Sequence, residues 1–265
     1  MTELLYEILI RPWSSPWYAG NTLDSAVLLS VAALGIVLAF RSGAFNLGGE
    51  SQIYAGGIAA TAILLAPLPL PSPIILFIAL LAALASGAVP GAISGILKTQ
   101  SGADPMISSF LLASIVMPIG DWLISGPMRD STSDLLASPR LPQGLMLSRL
   151  LPPSSLNSGL FIMLIAALCI EIFLKYSVAG LGLRAAGSDK LFARYAGISS
   201  DSILPTSLAA GGALHGLAGF LLVAGSAGIC HLSFPAGLGW NAIAVALIAG
   251  NRPLAVIPAA ILFAW

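Results

Sequence analysis

Charged residues are scarce in this chain. Only 8% of its 265 residues are Asp, Glu, Lys or Arg, and the 11 basic residues balance the 11 acidic ones. Soluble domains carry about 25% charged residues, so this chain has too few to cover a water-exposed surface. The zero net charge and the lack of a basic patch also argue against binding to nucleic acid. The scarcity of charged residues favours a protein embedded in a lipid bilayer.

Cysteine and histidine are scarce as well, and the common catalytic motifs are absent from the sequence. Cys169 and Cys230 lie inside apolar stretches, which argues against a disulfide framework or a zinc site. His215 and His231 are far apart in the sequence, and we expect hydrogen-bonded positions between packed helices for both. The chain has no GxSxG, HExxH or CxxC motif, and no GxxxxGK phosphate-binding loop. We therefore predict a non-catalytic chain that holds no cofactor and no metal, and binds no ATP through a Walker motif.

Long apolar runs are what the chain has instead. Hydrophobic residues make up 57% of the sequence, and the mean hydropathy is +0.96. A helix that crosses a bilayer needs about 20 mainly apolar residues. The runs that approach or exceed this length are Leu23–Phe40, Ile53–Leu70, Pro73–Leu97, Met106–Ile124, Leu160–Leu174 and Ile203–Val223, with shorter ones at Leu238–Ala249 and Leu254–Trp265. Because lipid offers no partner for backbone N–H and C=O groups, we predict an all-α, multi-spanning helical bundle.

Three polar segments divide the apolar runs and set the expected topology. They are Arg41–Gln52, Ser125–Asn157 and Lys175–Asp201. If the third and most charged segment is cytoplasmic, alternation of the spans puts basic residues 41, 98, 175, 184, 190, 194 and 252 inside, and 11, 129, 140 and 149 outside. This distribution agrees with the positive-inside rule. It also puts the N-terminus outside, although the first ten residues lack the basic region of a cleavable signal peptide.

Glycine recurs at four-residue intervals in two of the apolar runs. Gly87, Gly91 and Gly95 form one series, and Gly212 and Gly216 repeat the spacing. Small residues at this interval let helix backbones approach closely in lipid. We predict close helix–helix contacts at these glycines and no chemistry.

The segment Arg41–Gln52 places Asn46, Glu50 and Gln52 among glycines between two apolar runs. Ionisable groups within a membrane are costly and mark pathways or binding sites. Irregular backbone at that depth needs protein or water around it. We therefore predict a broken helix near Asn46, with Asn46, Glu50 and Gln52 as candidate substrate-pathway residues. The alternative is structural, in that Glu50 pairs with Arg41 and ties the break together, and the two interpretations stay open.

The segment Lys175–Asp201 predicts a loop, a short amphipathic helix and a second loop. Ser188 is a candidate N-cap ahead of Asp189, whose charge suits the positive start of a helix. Gly197 would let the chain leave the helix through a left-handed turn. We expect this short helix to lie in the cytoplasm.

The two faces of this short helix differ. Leu191, Tyr195 and Ile198 fall on an apolar face, whereas Lys190 and Arg194 form an i, i+4 pair on a basic one. Solvated charge alone would not require the apolar stripe. The pattern predicts a docking surface for a soluble partner.

Three stretches carry a resemblance to a known family. AFRSGAFNLGGESQIYAGG, residues 39–57, resembles the FNIGAEGQ region of permeases from ABC importers of the ribose, branched-chain amino-acid and nucleoside type. GLGLRAAGSDKLFARYAGI, residues 180–198, is similar to the cytoplasmic coupling loop of that family. GWNAIAVALIAGNRPLAVIPAAILFAW, residues 239–265, resembles its Gly-rich C-terminal stretch. The nucleoside-type permeases look most similar.

The resemblance implies an importer permease subunit in the bacterial inner membrane. Its partners would be cytoplasmic ABC ATPase subunits, which carry ATP and magnesium, a second and different permease chain, and an extracytoplasmic solute-binding protein. The pathway residues carried over are Asn46, Glu50 and Gln52. The ATPase-coupling residues are Gly187, Arg194, Tyr195, Ala196 and Gly197, to which the helix pattern adds Ser188 and Asp189. We expect residues 1–265 to form one transmembrane domain that lacks the family's first and last helices.

Two other classes compete with this interpretation. A self-contained secondary carrier or channel also places ionisable residues and broken helices near mid-membrane. Such a carrier has no need of the partner-docking helix that Ser188–Gly197 predicts. A membrane-embedded enzyme is less favoured, because no pair of carboxylates or cluster of metal ligands is evident at one membrane face.

Overall fold

The computed structural model describes Tyr6 and residues 10–198 and 200–265. The regular structure in these residues is helical, with ten α-helices and no β-strand. They are α1 Pro16–Arg41, α2 Gly49–Leu64, α3 Ser72–Ser101, α4 Pro105–Ser125, α5 Gly159–Tyr176, α6 Val178–Ser188, α7 Lys190–Tyr195, α8 Ser200–Phe220, α9 Leu238–Ile248 and α10 Val256–Ala264. The predicted all-α helical bundle is confirmed.

Within the part of the chain that the structure describes, five helices are long and apolar enough to cross a bilayer. They are α1, α3, α4, α5 and the span Ser202–Ala227, in which a π-helix, Leu221–Ala227, continues α8. Helices α9 and α10 pass the same test only as a pair, bent by 117°. The two short apolar runs at the end of the sequence are therefore the two arms of one broken element.

The second apolar run is shorter as a helix than the sequence predicts. The prediction extends to Leu70, but α2 ends at Leu64 after 16 residues. Pro67, Pro69 and Pro71 follow at alternate positions. Proline lacks the N–H that a helix needs and clashes with the preceding turn, so the helix stops before this run.

Local capping explains where several helices begin. Ser15 accepts a hydrogen bond from the Tyr18 N–H at 3.3 Å, and a proline occupies the first turn of α1. Asp104 accepts one from the Met106 N–H at 2.9 Å, again with a proline at the start of α4. Each cap satisfies one of the N–H groups that a helix start leaves without a partner.

Helices α3 and α8 pack on each other through the predicted glycines. A Cβ placed on Gly87 would lie 2.7 Å from the Gly216 nitrogen, and Gly212 lies against Gly87 in turn. Gly91 and Gly95 also face the backbone of α8. No side chain fits between the two helices at these points, so the predicted close helix–helix contact is confirmed.

Helix α1 lies at the centre of the bundle. In its membrane-spanning window 83% of the residues are buried, against 22% in α4 and in α5. It contacts α5, α8, α9 and α10. The apolar faces that α4 and α5 leave uncovered suit contact with lipid or another subunit.

Four of the basic residues predicted to lie inside meet at one end of the bundle. Arg41, Lys175, Arg184 and Arg252 line the same cavity, and we refer to this side as the Arg41 end. Asp24 lies 17 residues before Arg41 on α1, which is about 25 Å along a helix. The grouping agrees with the predicted alternation of the spans.

Candidate functional site

The broken helix predicted near Asn46 is present. Helix α1 ends at Arg41, α2 begins at Gly49, and residues 42–48 between them are not helical. Gly43 adopts a φ of 75°, a left-handed conformation that favours glycine. The helix break therefore coincides with the segment in which the sequence concentrates polar side chains.

Asn46, Gln52 and His215 form one buried hydrogen-bonded cluster. Asn46 Nδ2 donates to Gln52 Oε1 at 3.0 Å, and His215 Nδ1 lies 2.7 Å from the same oxygen. Asn46 Oδ1 also accepts from the Gly48 N–H at 2.9 Å. All three side chains are at most 2% exposed. The helix-packing role predicted for His215 is confirmed, and the amides of Asn46 and Gln52 face the protein interior.

Glu50 binds the start of α9. Its Oε1 accepts from the Gly237 N–H at 2.6 Å, and its Oε2 accepts from the Gly239 N–H at 2.7 Å. A carboxylate in this position satisfies free N–H groups and complements the positive end of the helix dipole. Arg41 instead donates from Nε to the Asn251 carbonyl at 2.9 Å. The alternative in which Glu50 pairs with Arg41 is therefore wrong, because each side chain binds backbone groups of a distant segment.

A second polar contact on α2 was not found from the sequence. The Tyr54 hydroxyl donates to Asp121 Oδ1 at 2.6 Å and accepts from the Ser233 N–H at 3.3 Å. Tyr54 lies four residues after Glu50, on the same side of α2. Together these two side chains hold the segment 228–237 against α2.

The 228–237 segment connects the π-helix to α9 in an irregular conformation. Ser233 and Ala236 have φ angles of 50° and 48°, which are uncommon for residues other than glycine. His231 in this segment is exposed, and its Nδ1 lies 2.9 Å from the Leu232 carbonyl. The helix-packing position predicted for His231 is therefore wrong, because the segment that carries it leaves the helix before reaching it.

The coupling segment contains the predicted short helix, but with a different cap. Asp189 Oδ1 accepts from the Leu191 N–H at 2.8 Å, and Asp189 has extended backbone angles. Ser188 is still helical and belongs to α6, where its Oγ donates to the Arg184 carbonyl at 2.9 Å. Asp189, and not Ser188, therefore precedes α7 as its cap.

The end of α7 follows the prediction. Gly197 has a φ of 74°. Its N–H donates to the Arg194 carbonyl at 3.1 Å, and the Ile198 N–H donates to the Ala193 carbonyl at 2.9 Å. This pair of bonds is the Schellman motif that ends many helices.

Helix α7 presents an aromatic side chain outward. Tyr195 is 91% exposed and Leu191 is 68% exposed, and Arg194 and Ala196 beside them are exposed as well. Ile198 turns back and lines an apolar groove on the bundle. Two of the three residues predicted for the apolar face, Leu191 and Tyr195, are thus largely exposed.

Gly187 is the point at which the coupling segment contacts the 42–48 helix break. A Cβ placed on this residue would lie 2.9 Å from the Gly43 nitrogen and would collide with the Arg41 carbonyl. The last turn of α6 therefore rests directly on the start of the 42–48 break. Among the residues described, no group of three His, Cys, Asp or Glu side chains is placed to hold a metal ion.

Comparison with known proteins identifies relatives along nearly the whole chain. Residues 18–265 match the family described as branched-chain amino acid transport system, permease component. The probable riboflavin import permease protein RfuC of Treponema pallidum is 32% identical over 261 residues, which cover 98% of this chain and 69% of that protein. The guanosine ABC transporter permease protein NupP of Bacillus subtilis is 31% identical over 250 residues, covering 93% and 71%.

A third relative shows the same extent of similarity. The nucleoside ABC transporter permease protein NupB of Lactococcus lactis is 28% identical over 266 aligned positions, with 97% of this chain and 73% of that protein covered. No solved structure matches the chain. The chain therefore belongs to the permease family of the branched-chain amino-acid transport type, and it is a multi-pass permease component of an ABC transporter.

Proposed function

We propose that this permease works in the import direction and carries a small polar solute, with nucleosides as the first candidates, across a bacterial inner membrane. ATP would be hydrolysed on separate cytoplasmic ATPase subunits, and an extracytoplasmic binding protein would deliver the solute. A second, different permease chain would complete the pathway. The observation that carries this proposal is α7, whose Tyr195 and Leu191 are 91% and 68% exposed.

The substrate class rests on the chemistry that the relatives' names share. Riboflavin, guanosine and nucleosides each combine a heteroaromatic ring with a five-carbon polyhydroxyl unit. A glucose ABC transporter permease protein of Haloferax volcanii is 29% identical over 267 aligned positions and adds a polyhydroxylated solute without a heteroaromatic ring. We therefore propose a polyhydroxylated solute, and a nucleoside ahead of a free sugar.

The pathway role of the broken segment is part of the same proposal. Glu50 is partly exposed, and it joins the first turn of α2 to the first turn of α9. Asn46 and Gln52 would set the shape of the break from within, since both are buried. Glu50 would then be the residue of the three that senses movement of the 228–237 segment during transport.

Reconstitution tests the proposal against a self-contained carrier. Proteoliposomes that contain this chain, its partner permease and the ATPase should take up labelled guanosine only when ATP and the binding protein are present. The chain alone should show neither ATP hydrolysis nor uptake. Uptake by the chain alone, driven by a sodium or proton gradient, would instead establish the secondary carrier.

A competition series tests the substrate class in the same vesicles. Unlabelled guanosine, riboflavin and glucose are added in turn to the binding protein with labelled guanosine. We expect guanosine to compete best and glucose worst. ATP-dependent uptake of labelled glucose with no uptake of labelled guanosine would assign the transporter to free sugars and would leave the ATP-driven mechanism intact.

A further inference from the structure

A cationic cavity of about 460 Å³ opens at the Arg41 end of the bundle. Arg41, Lys175, Arg184 and Arg252 line it, together with the single carboxylate Glu171. These residues come from α1, α5, α6 and the turn before α10. Four cations that face one carboxylate make a strongly positive site.

The chain itself satisfies these cations only in part. Arg41 uses Nε on the Asn251 carbonyl at 2.9 Å, which leaves the rest of its guanidinium for the cavity. Arg184 Nε is buried and has no hydrogen-bond partner among the described residues. Lys175 Nζ lies 5.2 Å from the centre of the Tyr176 ring. Unpaired cationic donors in a partly desolvated site favour an anion that accepts several hydrogen bonds.

An apolar groove of about 450 Å³ lies beside the cavity in the fold. Phe173 and Leu183 line the groove, and each directly precedes a residue that lines the cavity. Leu38 lines it one helical turn before Arg41. Val178, which is 88% exposed, lies at its surface. A charged site and an apolar groove thus share three helices.

We propose that the cavity binds the phosphate of an anionic phospholipid, whose acyl chain follows the groove. Guanidinium groups suit phosphate because their N–H donors match two of its oxygens. The cavity lies where α1 and α5 end, at Arg41 and Tyr176, which is the depth of a lipid headgroup. Basic pockets between spanning helices bind such headgroups on the cytoplasmic side.

The position of the site links lipid to coupling. Arg184 and Gly187 lie three residues apart on α6, and Gly187 rests on the start of the 42–48 break. A headgroup held by Arg184 and Arg41 therefore fixes α6 against α1. This helix leads directly into α7, so the bound lipid holds the docking helix in place.

Lipid titration of the purified chain tests the site. Thermal unfolding is followed in detergent with added phosphatidylglycerol, phosphatidylcholine or inorganic phosphate. We expect stabilisation by phosphatidylglycerol alone. Lys175→Gln and Arg252→Gln, both at exposed positions, should each weaken its apparent binding about fivefold. Arg140→Gln, an exposed arginine between α4 and α5, should leave it unchanged.

Three results would overturn the proposal. Equal stabilisation by phosphatidylcholine, or equal binding to all variants, would reduce the effect to general lipid solvation. Saturation by inorganic phosphate with loss of the phosphatidylglycerol effect would make the cavity a site for a free anion.

Discussion

Gly187 and Gly43 touch across the helix break, since a Cβ placed on Gly43 would lie 3.1 Å from the Gly187 Cα. Gly187 belongs to the last turn of α6, just before the docking helix α7, and Gly43 belongs to the segment that leads to the polar cluster of Asn46. Backbone lies against backbone at this point, with no flexible side chain between. A displacement of α6 must therefore move the start of the break.

Gly187→Ala should disturb both stability and coupling. The added methyl group would collide with the Arg41 carbonyl, and overpacking of this kind costs about 1–3 kcal/mol. We expect a lower melting temperature in detergent and more ATP hydrolysed per solute transported. Ser188→Ala is the matched control for the melting temperature, because its exposed hydroxyl bonds within α6. A Gly187→Ala transporter with wild-type melting temperature and coupling would show that this contact accommodates the added methyl group.

Glu50→Gln should loosen the start of α9 independently of Arg41. The amide keeps one acceptor but turns an N–H group toward a backbone N–H, and a hydrogen bond to a charged group contributes about 1.5–3 kcal/mol. Arg41→Met removes a different contact, to Asn251. The two effects on unfolding should add in the double variant, measured by denaturation. A coupling energy above about 0.5 kcal/mol would mean that the side chains interact after all.

Gln52→Leu should be among the costlier changes in the bundle. It removes Gln52 Oε1, which is the hydrogen-bond partner of both Asn46 Nδ2 and His215 Nδ1. A buried polar group left unpaired costs about 1–3 kcal/mol. Ser51→Ala serves as the control, since its Oγ donates to the Gly48 carbonyl within the same turn, and that carbonyl keeps another donor. If both variants melt alike, the cluster is not a determinant of stability.

Structural features that depend on neighbouring residues could be predicted from the sequence, whereas contacts between distant residues could not. The helices, the glycine contacts between α3 and α8 and the Gly197 turn all follow from neighbouring residues or from fixed helical spacing. The partners of Glu50 are 187 and 189 positions away, and Tyr54 meets Ser233 at a separation of 179. Backbone N–H groups carry no residue-specific signal, so an acid that binds them looks unpaired in the sequence. For this reason the sequence suggests Arg41, the nearest charged residue along the chain, as a partner of Glu50, and the structure shows a different one.

The cation cavity illustrates the same limit. The positive-inside rule predicts each of its four basic residues on the cytoplasmic side, and their position at one end of the bundle agrees with that prediction. Which of them share a cavity depends on how α1, α5 and α6 pack. Helix packing is set by contacts along whole faces, which no single motif reports.

Tyr195→Ala should break coupling without damaging the fold. Its ring is 91% exposed, so truncation removes little packing within this chain and the melting temperature should stay at the wild-type value. A few aromatic and arginine anchors usually carry most of the energy of an interface, and Tyr195 has Arg194 beside it. Loss of such an anchor costs about 2 kcal/mol or more, enough to weaken ATPase association at least about thirtyfold.

Co-purification of the ATPase and ATP-driven uptake measure this loss directly. Tyr195→Phe keeps the ring and should retain most of the association, which separates packing from the hydroxyl. Labelling a cysteine introduced at Ser188 from either side of the membrane gives the orientation independently, because that residue is exposed. Labelling from the outside alone, or a Tyr195→Ala complex that assembles and transports at the wild-type rate, would contradict a cytoplasmic docking role for α7. Loss of uptake with an intact complex would instead place Tyr195 in the transmission of the ATPase movement and not in its binding.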